Sequence, residues 1–493
     1  MVFNDIIDQL TYNPEEPLLF LKGFFLFFML IFSTGYAILY KRLNFRIIYV
    51  SIFSLYFYYK TSGFYFLLLV LLSFTDHSLG FFIHNSTNQR TRKLLLAASI
   101  AANLSILCYF KYTAMLGDMV NSIFQSNLEF SKIFLPIGIS FFTFQSMSYT
   151  IDIYRKELKP LEKWIDYLFY LSFFPQLVAG PIVRARDFTP QITRNPIVIS
   201  KEDFGKGVFL IICGLLKKGV ISNYISLNFV DRVFDLPLLY SGFENLVGIY
   251  GYALQIYCDF SGYSDIAIGI ALLLGFTFKD NFNSPYKALS ITEFWKRWHI
   301  SLSSWLKDYL YISMGGNRKG KFRTYINLMI TMLLGGLWHG AAWRFIVWGA
   351  IHGVALCIHK FLMSKFPTLK KDKNEISHFR KAISILITFH IVCLGWVFFR
   401  ADSFSTGVNM IKQIFVNFQG KIWLEFIIGY KNIVILLAIG YITHYVSDKR
   451  FKQLETYFKQ TNLAAQTVAL VVTIWVIMQI SSGEIQPFIY FQF

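Results

Sequence analysis

The chain has 493 residues, of which 55% are hydrophobic and 19% aromatic, against 15% charged. Soluble domains average about a quarter charged, so a soluble globular protein is excluded, and repeated apolar runs of about twenty residues mark a polytopic membrane protein. The net charge of +18 does not imply nucleic acid, because the basic residues cluster between apolar runs, where cytoplasmic loops meet lipid headgroups.

The first residues, MVFNDIIDQLTYNPEEPLL, hold no Lys or Arg and four acids, Asp5, Asp8, Glu15 and Glu16. A cleavable signal peptide starts basic, so this stretch reads as an extracytoplasmic N-terminus. A span over about residues 17 to 40 leads to the basic loop residues Lys41, Arg42 and Arg46. The next loop carries only Lys60, and the one after it Arg90, Arg92 and Lys93. Residues 111–133 hold two Lys, and RKELKPLEK at 155–163 is basic again. This alternation supports an N-terminus outside the cytoplasm. Further apolar runs fall near 134–153, 165–180, 205–233, 243–276, 324–338, 341–363, 381–399, 427–446 and 463–480. The reading is an all-α polytopic integral membrane protein of roughly ten to twelve transmembrane helices. The clearest polar loop is KFPTLKKDKNEISHFRK, 365–381. No repeat or inverted halves appear, so residues 1–493 read as one integral domain. The five cysteines are scattered through apolar runs without a C-x-x-C pair, which fits small buried hydrophobes and no disulfide or metal framework.

The stretch QIYCDFSGYSDIAIG places two carboxylates, Asp259 and Asp265, in an apolar span. They line a polar cavity, orient a histidine, or belong to a satisfied interhelical hydrogen-bond network. Next, SITEFWKRWHISLSSWLKDYLY at 290–311 opens with Ser290-x-x-Glu293, a capping-box pattern. On a helical wheel Trp295, Trp298, Leu302, Trp305, Leu306, Tyr309 and Leu310 share one arc, while Arg297, Ser301, Ser304, Lys307 and Asp308 lie outside it. Such a helix is too polar to span, so it lies at the interface or dips into the protein, and the wheel turns His299 inward with the aromatics. The plainer reading of His299 is an interfacial histidine satisfied by a backbone carbonyl.

GGNRKGKF at 315–322 imitates a phosphate loop, but Phe322 stands where a magnesium-binding hydroxyl is needed and no strand precedes it. It reads as a basic turn able to attract phosphates. In MLLGGLWHGAAWRF, 332–345, two glycines allow close approach, and His339 follows Trp338 at a depth where ionisable groups are costly and face cavities. Desolvation favours a neutral imidazole, suited to take a proton from an alcohol; a neutral histidine bridging two helices is the alternative. His352 and His359 share a helix face without a carboxylate, which argues against a metal site. His390 and His444 read as packing or helix-pairing residues, and His77, His84 and His378 as solvated.

FWKRWHISLSSWLKDYLYISMGGNRKG (294–320) and GGLWHGAAWRFIVWGAIHG (335–353) resemble the membrane-bound O-acyltransferase family. The similarity is to its bacterial branch typified by the membrane subunit of alginate O-acetylation and, more distantly, of teichoic-acid D-alanylation. SFFTFQSMSYTIDIYR (140–155), FFPQLVAGPIVRARDF (173–188), YCDFSGYSDIAIGIALLLGF (257–276) and the ending PFIYFQF support it, over a core of about 135–400. The resemblance implies transmembrane, interfacial and re-entrant helices around a funnel and tunnel, with His339 as the essential histidine and general base and His299 as the second functional position. It implies acetyl-CoA as donor substrate with no tightly bound cofactor or metal, docking from the cytoplasm near Lys296, Arg297, Arg318, Lys319 and Lys321. Trp298, Trp338, Asp259 and Asp265 are further candidate substrate-binding residues. The implied partners are the bilayer and an extracytoplasmic polysaccharide or acetyl-carrying protein, and the implied location is a bacterial inner membrane. A transporter or flippase of a saccharide or lipid precursor, or a scaffold without chemistry of its own, also fits the polytopic composition.

Overall fold

The computed structural model describes residues 9–14, 17–18, 20, 23–126, 133–178, 180–367, 376–480 and 488–489. Asp5, Asp8, Glu15 and Glu16, on which the orientation of the N-terminus rests, lie outside them, as do residues 368–375 of the basic loop and most of PFIYFQF. Every regular element among the described residues is helical. Among the described residues seven helices are long and apolar enough to cross a membrane, or eight if Gly420–Gly429 and Lys431–Tyr445, bent by 98°, form one span. The chain is thus an all-α polytopic membrane protein, and the described residues hold seven or eight such spans where the apolar runs suggest roughly ten to twelve helices. Several runs are too short or interrupted: 134–153 and 165–180 become Ile139–Tyr154 and Trp164–Ser172, and 324–338 is the apolar part of Gly320–His339, which begins GKFRTYIN.

The chain divides into two compact units, residues 1–211 with 266–279 and residues 212–265 with 280–493. In the first, helix α1 (Gly23–Leu39) buries Phe25, Phe28, Phe32 and Tyr36, a stripe at helical spacing. Four of its other apolar side chains, Phe27, Leu30, Ile31 and Ile38, are exposed, as lipid-facing residues are. Helix α2 (Leu43–Ser62) meets that stripe through Phe53 and Phe57. Arg46 lies inside α2 and not in a loop: it is fully buried and donates to the carbonyls of Tyr40, Ile192 and Arg194 at 2.7–3.0 Å. Five guanidinium N–H groups can satisfy several carbonyls at once, so the charge is compensated by dipoles.

Helices α3 (Phe66–Asn85), α4 (Gln89–Phe124) and α5 (Ile139–Tyr154) are joined by a buried carboxylate. Asp76 of α3 accepts from Ser99 at 2.5 Å and Asn103 at 2.7 Å of α4, and from Ser146 of α5. A carboxylate taken from water costs several kcal/mol unless its lone pairs are filled, and here three donors fill them. His77, read from sequence as solvated, instead bonds through Nε2 to the Leu161 carbonyl at 2.9 Å from within α3.

The second unit holds both candidate histidines. The helix running through Lys201–Asp235 widens into π turns at Leu216–Ser222 and Ser226–Val230. There the adjacent Lys217 and Lys218 pair with Asp265, at 2.7 Å, and with Asp259. Both carboxylates lie on helix α6 (Gly242–Leu273).

Helices α7 (Ile291–Arg297) and α8 (Ile300–Trp305) replace the continuous helix expected over 290–311. Ser290 caps α7 by accepting from the Glu293 N–H at 3.2 Å, while the Glu293 carboxylate accepts from the Leu289 N–H at 3.1 Å. The helix then stops at Trp298, and His299 takes a left-handed conformation with φ 41°. A non-glycine residue there is strained by about 1–2 kcal/mol, so tertiary contacts hold it.

Helix α9 (Gly320–His339) packs along α10 (Trp343–Lys365) by backbone contact. A Cβ on Gly336 would lie 2.2 Å from the Phe345 carbonyl oxygen, and one on Gly349 would lie 2.4 Å from that of Met332. These two glycines are therefore the condition for the helices to touch. A Cβ on Gly340 would meet the Phe345 ring at 2.0 Å, which ties the residue after His339 to the start of α10.

Candidate active site

His339 is the last residue of α9, and the next residue, Gly340, is extended, so the imidazole projects from a helix end. It is 3% exposed. Three rings meet it edge to face: Trp338 at 4.9 Å, Trp348 at 4.8 Å and Phe399 at 5.1 Å between centroids. Apolar rings on these sides exclude water.

His299 is fully buried. The strained backbone at this residue turns the ring out of the α7 wheel and toward Asn281. The Asn281 side-chain oxygen accepts from His299 Nδ1 at 3.2 Å and from the Ser301 N–H and hydroxyl at 3.2 and 2.8 Å. The Asn281 backbone carbonyl accepts the Ile300 N–H at 2.8 Å, and its amide donates to Ser264 at 3.1 Å. Because an amide oxygen only accepts, this network assigns the proton to Nδ1 and leaves the Nε2 lone pair as the acceptor of the neutral ring. His299 lies outside the candidate spans, and burial pushes its pKa down to about 3. The ring packs on Phe260 at 4.5 Å and on Trp338 at 6.3 Å. Trp338 thus contacts both imidazoles, and the two histidines share one aromatic interior.

Of the other residues singled out from sequence, Trp298 and Trp338 join this interior. Trp298 is 1% exposed and stacks on Phe294 at 5.7 Å and against Trp396 at 4.9 Å. Asp259 and Asp265 instead pair with Lys218 and Lys217. The second oxygen of Asp259 accepts the Ile489 N–H at 2.9 Å, and Phe488 packs on Phe260 at 5.2 Å, so Asp259 anchors residues near the end of the chain beside the His299 wall. Arg297 is turned back on its own helix, donating to Glu293 and to the Asn283 carbonyl, each at 2.9 Å. Lys296 is exposed at the end of α7, while Arg318, Lys319 and Lys321 are exposed around a turn built on Gly315, Gly316 and Gly320, all with positive φ.

Two residues of the site were not legible. Asn281 sits in KDNFNSPYK, a stretch that no motif singles out, and no spacing rule marks it as the hub beneath His299. His352, which the sequence marks only as sharing a helix face with His359, is fully buried one indole away from His339, with Trp348 4.8 Å from each. Three further histidines bond to groups far away in the sequence. His390 meets the Tyr250 hydroxyl at 2.8 Å, His444 accepts the Tyr286 N–H at 3.1 Å, and His359 bonds Thr292 at 2.9 Å.

The model of the membrane-bound O-acyltransferase family matches residues 53–398, which include both histidines. The chain is 42% identical over 330 residues to Probable alginate O-acetylase AlgI of Pseudomonas aeruginosa, covering 66% of this chain and 61% of that protein. It is 37% identical over 426 residues to the Peptidoglycan O-acetyltransferase of Helicobacter pylori, covering 80% and 79%, and 30% identical over 287 residues to the Teichoic acid D-alanyltransferase of Bacillus subtilis, covering 54% and 69%. The alginate O-acetylase matches span somewhat under two thirds of those relatives' length, 61% and 66% for two of them. With more than half of the chain matched by the family model, this protein belongs to the membrane-bound O-acyltransferase family.

Proposed function

We propose that the chain is an O-acyltransferase that takes an acetyl group from acetyl-CoA and delivers it toward a hydroxyl of an extracytoplasmic polysaccharide, directly or through a partner protein, in a bacterial inner membrane. The observation that carries this reading is the pair of buried imidazoles, His339 and His299, on the one indole of Trp338. The names of the relatives, two of them O-acetylating enzymes, favour acetyl over other acyl groups.

In this mechanism an acceptor hydroxyl oxygen attacks the thioester carbonyl carbon. The new C–O bond forms as the C–S bond breaks, and a ring nitrogen of His339 takes the hydroxyl proton and returns it to the departing thiolate. His299 donates its Nδ1–H to Asn281, so Nε2 can only accept, which suits holding the acceptor O–H more than a carbonyl oxygen. The exposed cations Arg318, Lys319 and Lys321 supply an entry patch for the phosphates of the donor.

Release of free CoA from acetyl-CoA by the protein in nanodiscs, with polysaccharide and partner components present, tests this reading. Wild-type turnover that His339→Ala abolishes is the expected outcome. Turnover unchanged in His339→Ala at equal protein level overturns the assignment of the base, and absence of any thioester consumption by the wild type overturns the acyl-transfer reading in favour of transport or recruitment.

A further inference from the structure

His339 closes α9, and from Gly340 the backbone is extended, so no following helical turn steadies the imidazole. Its orientation therefore depends on the side chains packed around it. Of the three rings that meet it, two come from other helices: Trp348 from α10 and Phe399 from helix α11 (His378–Arg400). Phe399 is fully buried in the last turn of α11. The last carbonyls of a helix have no partners within it, and in an apolar setting they must be satisfied from elsewhere.

Here the partner is a side chain at the start of α10. Arg344, part-buried, donates through Nη1 to the Ala401 carbonyl at 2.6 Å and the Arg400 carbonyl at 3.2 Å, and reaches that of Phe399 at 3.4 Å. A permanently charged, forked donor suits a cluster of carbonyls at the negative end of a helix dipole. The same guanidinium lies 4.7 Å from the centre of the Phe345 ring, and Phe345 meets Phe399 at 5.2 Å. Phe345 is also the ring on which Gly340 is closed, since a Cβ there would have no room. The contacts form a circuit: Gly340 rests on Phe345, Phe345 lies under Arg344, Arg344 holds the end of α11, and the Phe399 ring returns to His339. Arg400 gives that end a second attachment that does not pass through Arg344, pairing with Asp231 at 2.9 Å and Asp235 at 3.2 Å.

We propose that Arg344 is a positioning residue for the base: by holding the end of α11 it sets the Phe399 ring against His339 and so fixes the direction in which the imidazole points. This rests on the acyl-transfer reading above and extends it. Arg344 touches no reacting atom in this scheme and acts through Phe399. A purely structural tie between α10 and α11 would lower stability when cut, without a selective loss of turnover.

The experiment compares wild type, His339→Ala, Arg344→Gln, Arg344→Lys, Phe399→Leu and the double variant Arg344→Gln/Phe399→Leu in nanodiscs, measuring CoA release across acetyl-CoA concentrations together with thermal stability. Asp76→Asn, which cuts the buried network of the first unit, is the control for lost stability and is expected to keep its kcat. A displacement of about 1 Å costs about a hundredfold in rate, so Arg344→Gln and Phe399→Leu are each expected to lower kcat by about tenfold or more. KM for acetyl-CoA is expected to stay within about twofold, the mark of an interaction made in the transition state. Arg344→Lys, which keeps a charged donor without the fork, is expected to recover part of kcat. Because the two residues act by one route, the double variant is expected to lose no more than the worse single variant. If Arg344→Gln loses no more kcat than Asp76→Asn, or if the losses of the two single variants multiply in the double, the proposal is overturned, and with His339→Ala dead the acyl-transfer reading stands. If His339→Ala turns over like the wild type, the base assignment and this proposal fall together, and if the wild type consumes no thioester the acyl-transfer reading falls with them. Should Arg344→Gln not be recovered as folded protein, Arg344→Lys decides the matter by the same comparison with Asp76→Asn.

Discussion

At the scale of single residues, the site depends on a few polar atoms whose surroundings leave them one chemical option each. Asn281 is the clearest case, because one side-chain oxygen accepts from His299 and twice from Ser301. Asn281→Ala is expected to lower stability by about 1–3 kcal/mol, as buried donors lose their acceptor, and to lower acyl transfer further as His299 loses its fixed tautomer; thermal denaturation and CoA release measure the two effects. His299 also makes a pH prediction. Its folded pKa of about 3 lies below the ordinary histidine value of about 6.5. Between those values the unfolded chain holds a proton that the folded protein does not, so this contribution to stability is present above the upper value and is lost as pH falls. At pH 5 the loss is about 2 kcal/mol, and His299→Gln is expected to flatten that part of the profile of denaturation midpoint against pH. An unchanged slope in the variant would mean that His299 is charged in the folded protein.

At the scale of elements, backbone approach decides what the helices can do. Gly349→Ala forces a methyl group against the Met332 carbonyl and is expected to destabilise by about 1–3 kcal/mol. Gly335→Ala, whose Cβ would meet only Leu306 at an ordinary 3.4 Å, is expected to be neutral or to stabilise by up to about 1 kcal/mol through helix propensity. Equal effects on the denaturation midpoint would refute the close-contact account of the α9–α10 pair. Periodicity read one thing correctly here and one incorrectly. The apolar arc at 290–311 buries Trp298, Leu302, Trp305, Leu306 and Tyr309 as expected, and Ser290 caps the helix start as its spacing indicates. The wheel did not show the break at His299, because a left-handed residue held by a distant asparagine leaves no local signature.

At the scale of the whole molecule, charge distribution is the property with a testable consequence. Arg318, Lys319 and Lys321 are exposed together on one turn and paired with no acid among the hydrogen bonds and ion pairs described for the turn. Reversing all three to Glu is expected to raise KM for acetyl-CoA by tenfold or more while kcat changes little, with a weaker effect at high salt, because such attraction is long-range and screened. A KM unaffected by the reversal would place donor entry elsewhere.

Composition and hydropathy alone determined that this chain is an all-α membrane protein, because twenty apolar residues in a row have few other stable solutions and lipid demands internally satisfied backbones. Motif spacing marked His299 and His339, since an imidazole is costly in an apolar setting and stands out in it. Only the tertiary structure decided that Asp259 and Asp265 belong to lysines, that Asn281 fixes the tautomer of His299, and that His352 lies one indole from His339. Those outcomes depend on contacts between residues far apart in the chain, and a pairing across such a distance leaves no periodic trace in either segment.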